Sequence, residues 1–192
     1  MSDDRPDSPA ETGTPALRAL AELLGRLLTS EVDSRTLGAL RAAPLAEPLG
    51  ALGVVLPEPA EEDAWLEERA ADFHDLFLRS ARGPLVQSLW TQGRFEGDAT
   101  AQVRALADAA GLEFQREATR GAPPDHLGNL LLLWAATDGR APDIARAVEE
   151  RHLPWARTPL RQVTEAGGFY GCVASLVLGW LDELGAPSAS KT

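Results

Sequence analysis

Cysteine occurs once in the 192-residue chain, at Cys172, so no intramolecular disulfide can form and one chain cannot assemble a thiolate metal cluster. Lysine also occurs once, as Lys191, and no glycine-rich loop ending in Lys-Ser or Lys-Thr is present, which excludes phosphate-loop nucleotide chemistry. β-Branched apolar residues are scarce: one Ile and nine Val stand against 30 Leu and 32 Ala, a bias toward helix and away from pleated sheet. With few strands expected and no Gly-x-Ser-x-Gly element, a nucleophile elbow is excluded as well. Long apolar runs are missing; the longest, Leu130 to Ala136, falls far short of the ~20 residues of a membrane span. Met1 to Thr14 contains no apolar stretch of a secretory signal, so a cytoplasmic location is expected. Positive charge is in deficit, 18 basic against 29 acidic residues for a net −11, which disfavours a nucleic acid partner. A basic peptide would be attracted by such a surface, although acidity also serves solubility alone.

What is present reads as a train of amphipathic helices between two polar ends. Residues 1–13 and 186–192 are expected to be disordered tails, and 14–185 one all-helical globular domain. Thr14-Pro15 reads as a cap and first-turn pair, followed by Leu17, Leu20, Leu24, Leu27 and Leu28 on one face. A short helix is predicted over Ser34 to Ala42, then a connection from Val54 to Glu62 marked by Pro57 and Pro59. The next helix carries Trp65, Leu66, Phe73, Leu76 and Phe77 on an otherwise acidic body from Glu61 to Asp75. Gly83-Pro84 breaks the pattern before Leu85 to Trp90, and Gly93 and Gly97 bracket a turn. Asp98 is expected to cap a helix that Gly111 ends, and Pro123-Pro124 to start a core helix with Leu127, Leu130, Leu131 and Trp134. Three further helices are placed at Asp143 to Arg151, Pro159 to Ala166 and Phe169 to Leu184, the last stopped by Gly185.

Few residues invite chemistry. His74-Asp75 matches the dipeptide of helical metal-dependent phosphohydrolases, yet no histidine precedes it and only His126 and His152 follow, so the usual ligand order cannot be completed. Asp125-His126 after two prolines is read in two ways. A first-turn carboxylate complements the helix dipole, or a loop-to-helix junction holds a carboxylate and an imidazole at the surface to grip a partner. Trp90 and Trp155, near Gly and Pro breaks, stand equally between core packing and lining a peptide groove. No catalytic residue, metal or cofactor is expected.

Four segments then fall into a recognisable order. Gly83-Pro84-Leu85-Val86-Gln87-Ser88-Leu89-Trp90 with Gly93-Arg94-Phe95-Glu96-Gly97 resembles a Pro-rich Glu-Ser-Val-Tyr element and its Arg-Leu-x-Gly turn. Pro124-Asp125-His126-Leu127-Gly128 resembles a Glu-Pro-x-Asp-His-Leu-Gly hallmark. His152-Leu153-Pro154-Trp155 and Ala166-Gly167-Gly168-Phe169-Tyr170 resemble His-Leu-x-x-Trp and Ala-x-x-Phe-Tyr elements. Together they resemble the TorD/DmsD family of redox-enzyme maturation chaperones, with the NarJ chaperones as near relatives, over about Pro15 to Leu184. The resemblance implies a TorD-like all-helical chaperone, not an enzyme, that binds the apoprotein of a molybdenum oxidoreductase or its twin-arginine leader and assists cofactor insertion before export. It raises Asp125, His126, Trp90, Ser88, Gln87, His152, Trp155 and Tyr170 to candidate client-binding residues, and it allows a domain-swapped homodimer. Three positions depart from the family pattern, with Ala122, Leu130 and Gln87 standing where the family has Glu. A metal phosphohydrolase built on His74-Asp75 and a weak nucleotide-binding regulator remain the alternatives.

Overall fold

The computed structural model describes residues 15–42, 46–78, 84–115, 117 and 119–186, and these form an all-helical bundle whose order follows the proline and glycine punctuation of the chain. Pro15, whose missing N–H costs nothing in a first turn, opens α1 (Pro15–Thr29), which buries Ala21, Leu24, Leu27 and Leu28. Thr14, the expected cap, and nearly all of both expected tails lie outside the described residues. Asp33 caps α2 (Ser34–Arg41) by accepting from the Thr36 N–H at 2.7 Å. A six-residue helix that the pattern did not announce, α3 (Ala46–Ala51), comes next. A 3₁₀ turn at Pro59–Glu61 then leads into α4 (Glu62–Phe73), whose last turn widens into a π-helical His74–Leu78.

After the break come α5 (Gln87–Gln92) and α6 (Asp98–Ala109). Gly97, not Asp98, is the cap of α6; Asp98 is its first residue and donates its N–H to Gln92 Oε1 at 3.0 Å. The core helix α7 runs Leu127–Thr137, so it starts three residues later than Pro123-Pro124 suggested, with His126 as its cap. A hairpin joins it to α8 (Pro142–His152), and a second hairpin pairs α9 (Arg157–Ala166) with α10 (Gly168–Leu184).

α7 is the hub of this packing. Its Leu127, Leu130, Leu131 and Trp134 are buried, as its nearly all-apolar sequence requires, and it packs chiefly on α1 and α8. α1 and α7 cross closely at two glycines. A Cβ on Gly25 would lie 2.8 Å from the Gly128 carbonyl oxygen, and one on Gly128 would lie 2.6 Å from that of Gly25. Trp134 meets Trp180 of α10 edge to face at 4.8 Å. At the other end of α10, Tyr170 is enclosed by Phe73 at 5.7 Å, Phe77 at 5.3 Å and Phe169 at 5.1 Å, which ties α10 to α4 and its π turn. Among the described residues no helix is long and apolar enough to cross a membrane.

Candidate functional site

Residues Pro84–Val86 arrive extended beside the segment that leads into α7. The Leu127 N–H donates to Leu85 O at 2.8 Å and the Gln87 N–H to Asp125 O at 3.0 Å, around a single antiparallel bridge between Val86 and His126. This short ladder sets the start of α5 against the start of α7. It also delivers the Asp125 carboxylate, fully buried, to the place where a cap is missing: Val86 offers α5 no side-chain acceptor. Asp125 Oδ2 accepts the Ser88 N–H at 2.8 Å, while Oδ1 accepts the Thr100 hydroxyl at 2.8 Å. One carboxylate therefore caps α5 from 37 residues away and anchors α6.

The network continues on either side. His126 caps α7, its Nδ1 accepting the Gly128 N–H at 3.2 Å, so the ring carries its proton on Nε2. Burial presses the His126 imidazole down to about 4, with the Asp125 carboxylate opposing the shift, so it is neutral at physiological pH. Gln87 Nε2 donates to Arg151 O at 3.2 Å, which leaves Gln87 Oε1 to accept from His152 Nδ1 at 2.9 Å. His152 is likewise held below its ordinary value by burial first and by the Arg151 charge second. Gln87, Ser88, Asp125, His126 and His152 thus join the ends of α5, α6, α7 and α8 in one buried polar cluster.

The family model described as nitrate reductase delta subunit matches residues 39–158, more than half of the chain and all of this cluster. The chain belongs to the nitrate reductase delta subunit family. These are the NarJ- and TorD-type chaperones, and a role in redox-enzyme maturation comes with membership. A crystal structure described as that of a candidate redox enzyme maturation protein from Archaeoglobus fulgidus shares the fold, with a TM-score of 0.57 at 20% identity over 94% of this chain and 100% of that one. A search of curated proteins gave no match.

In this chain the Asp125-His126 pair does not face solvent. Asp125 is 0% and His126 6% exposed, which corrects the expectation of a surface carboxylate and imidazole, and Asp125 precedes the cap of α7 instead of standing in its first turn. The reason is the ladder to Pro84–Val86, which folds another strand of chain over them. Ser88, Gln87 and His152 are buried with them, and Tyr170 lies apart in the aromatic core of α10. Only Trp90 and Trp155 among the candidates are half-buried and not fully buried. Each indole N–H is satisfied inwardly, Trp90 by Pro84 O at 3.0 Å and Trp155 by His152 O at 2.7 Å, and the turn that carries Trp155 packs on α5. Both indoles are half-buried, and Trp155 packs in part on the hydrophobic core.

Thr100, the second donor to Asp125, was not singled out from sequence. Its signal was present, because it lies on the buried stripe Thr100, Val103, Ala107 of α6, where a hydroxyl needs a partner. His74 Nε2 sits 2.6 Å from Glu31 Oε1, and Glu31 Oε2 also pairs with Arg120 at 2.9 Å. Among the described residues no group of three or more His, Cys, Asp or Glu side chains is arranged to hold a metal, so His74-Asp75 gathers no ligand set there.

Proposed function

We propose that the chain is a client-specific maturation chaperone that holds the cofactor-free catalytic subunit of a molybdenum oxidoreductase, by its twin-arginine leader or its mature part, until the cofactor is inserted. The observation that carries this reading is the pair of half-buried indoles, Trp90 and Trp155, on adjacent elements joined by the buried Asp125 cluster. Large aromatic faces with satisfied N–H groups are the chemistry of polypeptide recognition. The cluster itself acts as a frame, since no solvent reaches its carboxylate. Carboxylates for a leader's guanidiniums come instead from α4 and the turn before it, where Glu61, Asp63 and Glu67 are exposed. Such exposed charges are screened over ~8 Å at physiological salt, whereas apolar burial is not.

Calorimetric titration with the leader of a molybdenum enzyme from the same cell tests this. Raising the salt is expected to weaken binding without abolishing it. An Arg-Arg to Lys-Lys leader should lose part of the affinity, because an ammonium makes no bidentate contact, and a leader with a shortened apolar stretch should lose more. If neither change matters, the leader reading falls and the mature part is the client segment. A helix-exchanged homodimer belongs to the same reading, with the proline-containing connections as hinges, and sedimentation measures it.

A further inference from the structure

A cleft of about 560 Å³ opens on the side of α7 that faces the end of α1, the start of α2 and the segment 112–115. That is the size of pocket that encloses a small molecule. Its walls are apolar at Leu112, Phe114, Leu132, Leu133 and Ala136. The charged side chains at its rim, Arg26 and Arg35 against Asp33 and Glu113, cancel. Two of them are also engaged already: Arg26 pairs with Glu22 at 2.5 Å, and Asp33 caps α2. An ionic ligand therefore finds no net charge to meet it.

The lining also includes Thr29, Ser30, Thr36, Gln115 and Thr119, of which Thr29, Ser30 and Thr119 donate their hydroxyls to backbone carbonyls, whereas Asn129 is fully buried. Its Nδ2 donates to Ala122 O at 3.1 Å and to Pro123 O at 2.9 Å, which fixes the orientation of the amide. Its Oδ1 then has no hydrogen-bond partner among the described residues. A buried acceptor left unmet is costly, and a ligand donor that reaches it recovers that cost.

We propose that this cleft binds an uncharged, largely apolar group with a single N–H or O–H donor, the donor directed to Asn129 Oδ1. An indole-like group fits that description, either as a free small molecule or as a tryptophan side chain of a bound polypeptide. The proposal uses none of the residues of the Trp90–Trp155 surface and stands independently of the chaperone reading.

The test is amide and methyl chemical-shift mapping on the full chain, titrated with indole and separately with 1-methylindole, which has the same body and no donor. Indole should saturate with shifts centred on Phe114, Leu132, Leu133 and Ala136, and 1-methylindole should bind about tenfold more weakly. Ala136→Trp, which fills the cleft, should abolish the indole response; should that variant not fold, the two-ligand comparison on the unaltered chain decides alone. N-acetyltryptophanamide separates the sources: binding at least as tight as indole marks a polypeptide side chain, and exclusion marks a free molecule. Equal binding of indole and 1-methylindole, shifts centred elsewhere, or no saturation by millimolar indole overturns the proposal.

Discussion

Replacing Asp125 with alanine probes the buried cluster at its centre. The change removes two hydrogen bonds at 2.8 Å, leaves the Ser88 N–H without an acceptor at the start of α5, and frees the Thr100 hydroxyl in a site with no solvent. Each stranded buried donor costs ~1–3 kcal/mol, and loss of a helix cap belongs to the same range. Together these predict a destabilisation of about 3–5 kcal/mol. In a chain of this size that lowers Tm by about 10 °C, at ~2–4 °C per kcal/mol. Asp125→Asn should cost far less, ~1–2 kcal/mol, because its carbonyl oxygen can keep the Ser88 N–H while its amide donates to the Thr100 hydroxyl, whose proton turns toward Ser88 Oγ, 3.5 Å away. Thermal and urea unfolding followed by far-UV circular dichroism measure both variants. An alanine variant within 1 kcal/mol of the parent would refute the framing role of Asp125.

His126 gives a pH prediction. Its folded value of about 4 lies below the ~6.5 of an unfolded histidine, so between those values the unfolded chain binds a proton that the folded chain refuses. Stability is fully present above pH ~6.5 and falls as the pH drops toward 4, by about 3 kcal/mol in all, with His152 adding in the same sense. His126→Asn, which keeps a capping side chain and removes the titration, should flatten urea-unfolding stability over that range; an unchanged slope contradicts the assignment. Gly25→Ala should destabilise by ~1–3 kcal/mol in thermal unfolding, because its Cβ meets the Gly128 carbonyl at 2.8 Å. Gly38→Ala, in α2 with nothing within 4 Å, should stabilise by up to ~1 kcal/mol; equal effects at the two sites would refute the close crossing. Trp90→Ala with Trp155→Ala should lower Tm, because both indoles are half-buried and each loses an inward hydrogen bond, and should weaken client binding per folded molecule at least tenfold by calorimetry; unchanged affinity would remove the two indoles from the recognition surface.

The helices were legible where apolar period and punctuation agreed: α1, α2 and α6 to α10 fall within a few residues of their expected places because each has a Leu- or Val-bearing stripe bounded by Pro, Gly or Asp. α3 was not, since its six residues include Pro48 and only Leu49 is buried, too few for a stripe. The π turn at His74–Leu78 leaves no trace in the spacing of Leu76 and Phe77 that an α-helix would not share. The site was half legible. The motif segments pointed to Gln87, Ser88, Asp125, His126 and His152, but polar letters in sequence read as surface, and their burial depends on partners 25 to 65 residues away. A clue lay in α7 itself: a helix apolar nearly all round is surrounded, so the residues at its N-terminus are surrounded too. Asn129 and its cleft had no signal, because an unmet carbonyl oxygen is a property of three-dimensional packing alone.

The most direct test of the chaperone account is a binding titration of the purified chain against the catalytic subunit of a molybdenum oxidoreductase from the same cell, prepared with and without its cofactor. The account predicts saturable binding of the cofactor-free subunit, at least tenfold weaker binding of the loaded one, and loss of that difference in the Trp90→Ala, Trp155→Ala variant. Equal affinity for both forms, or no binding to any such subunit in the cell, would contradict it.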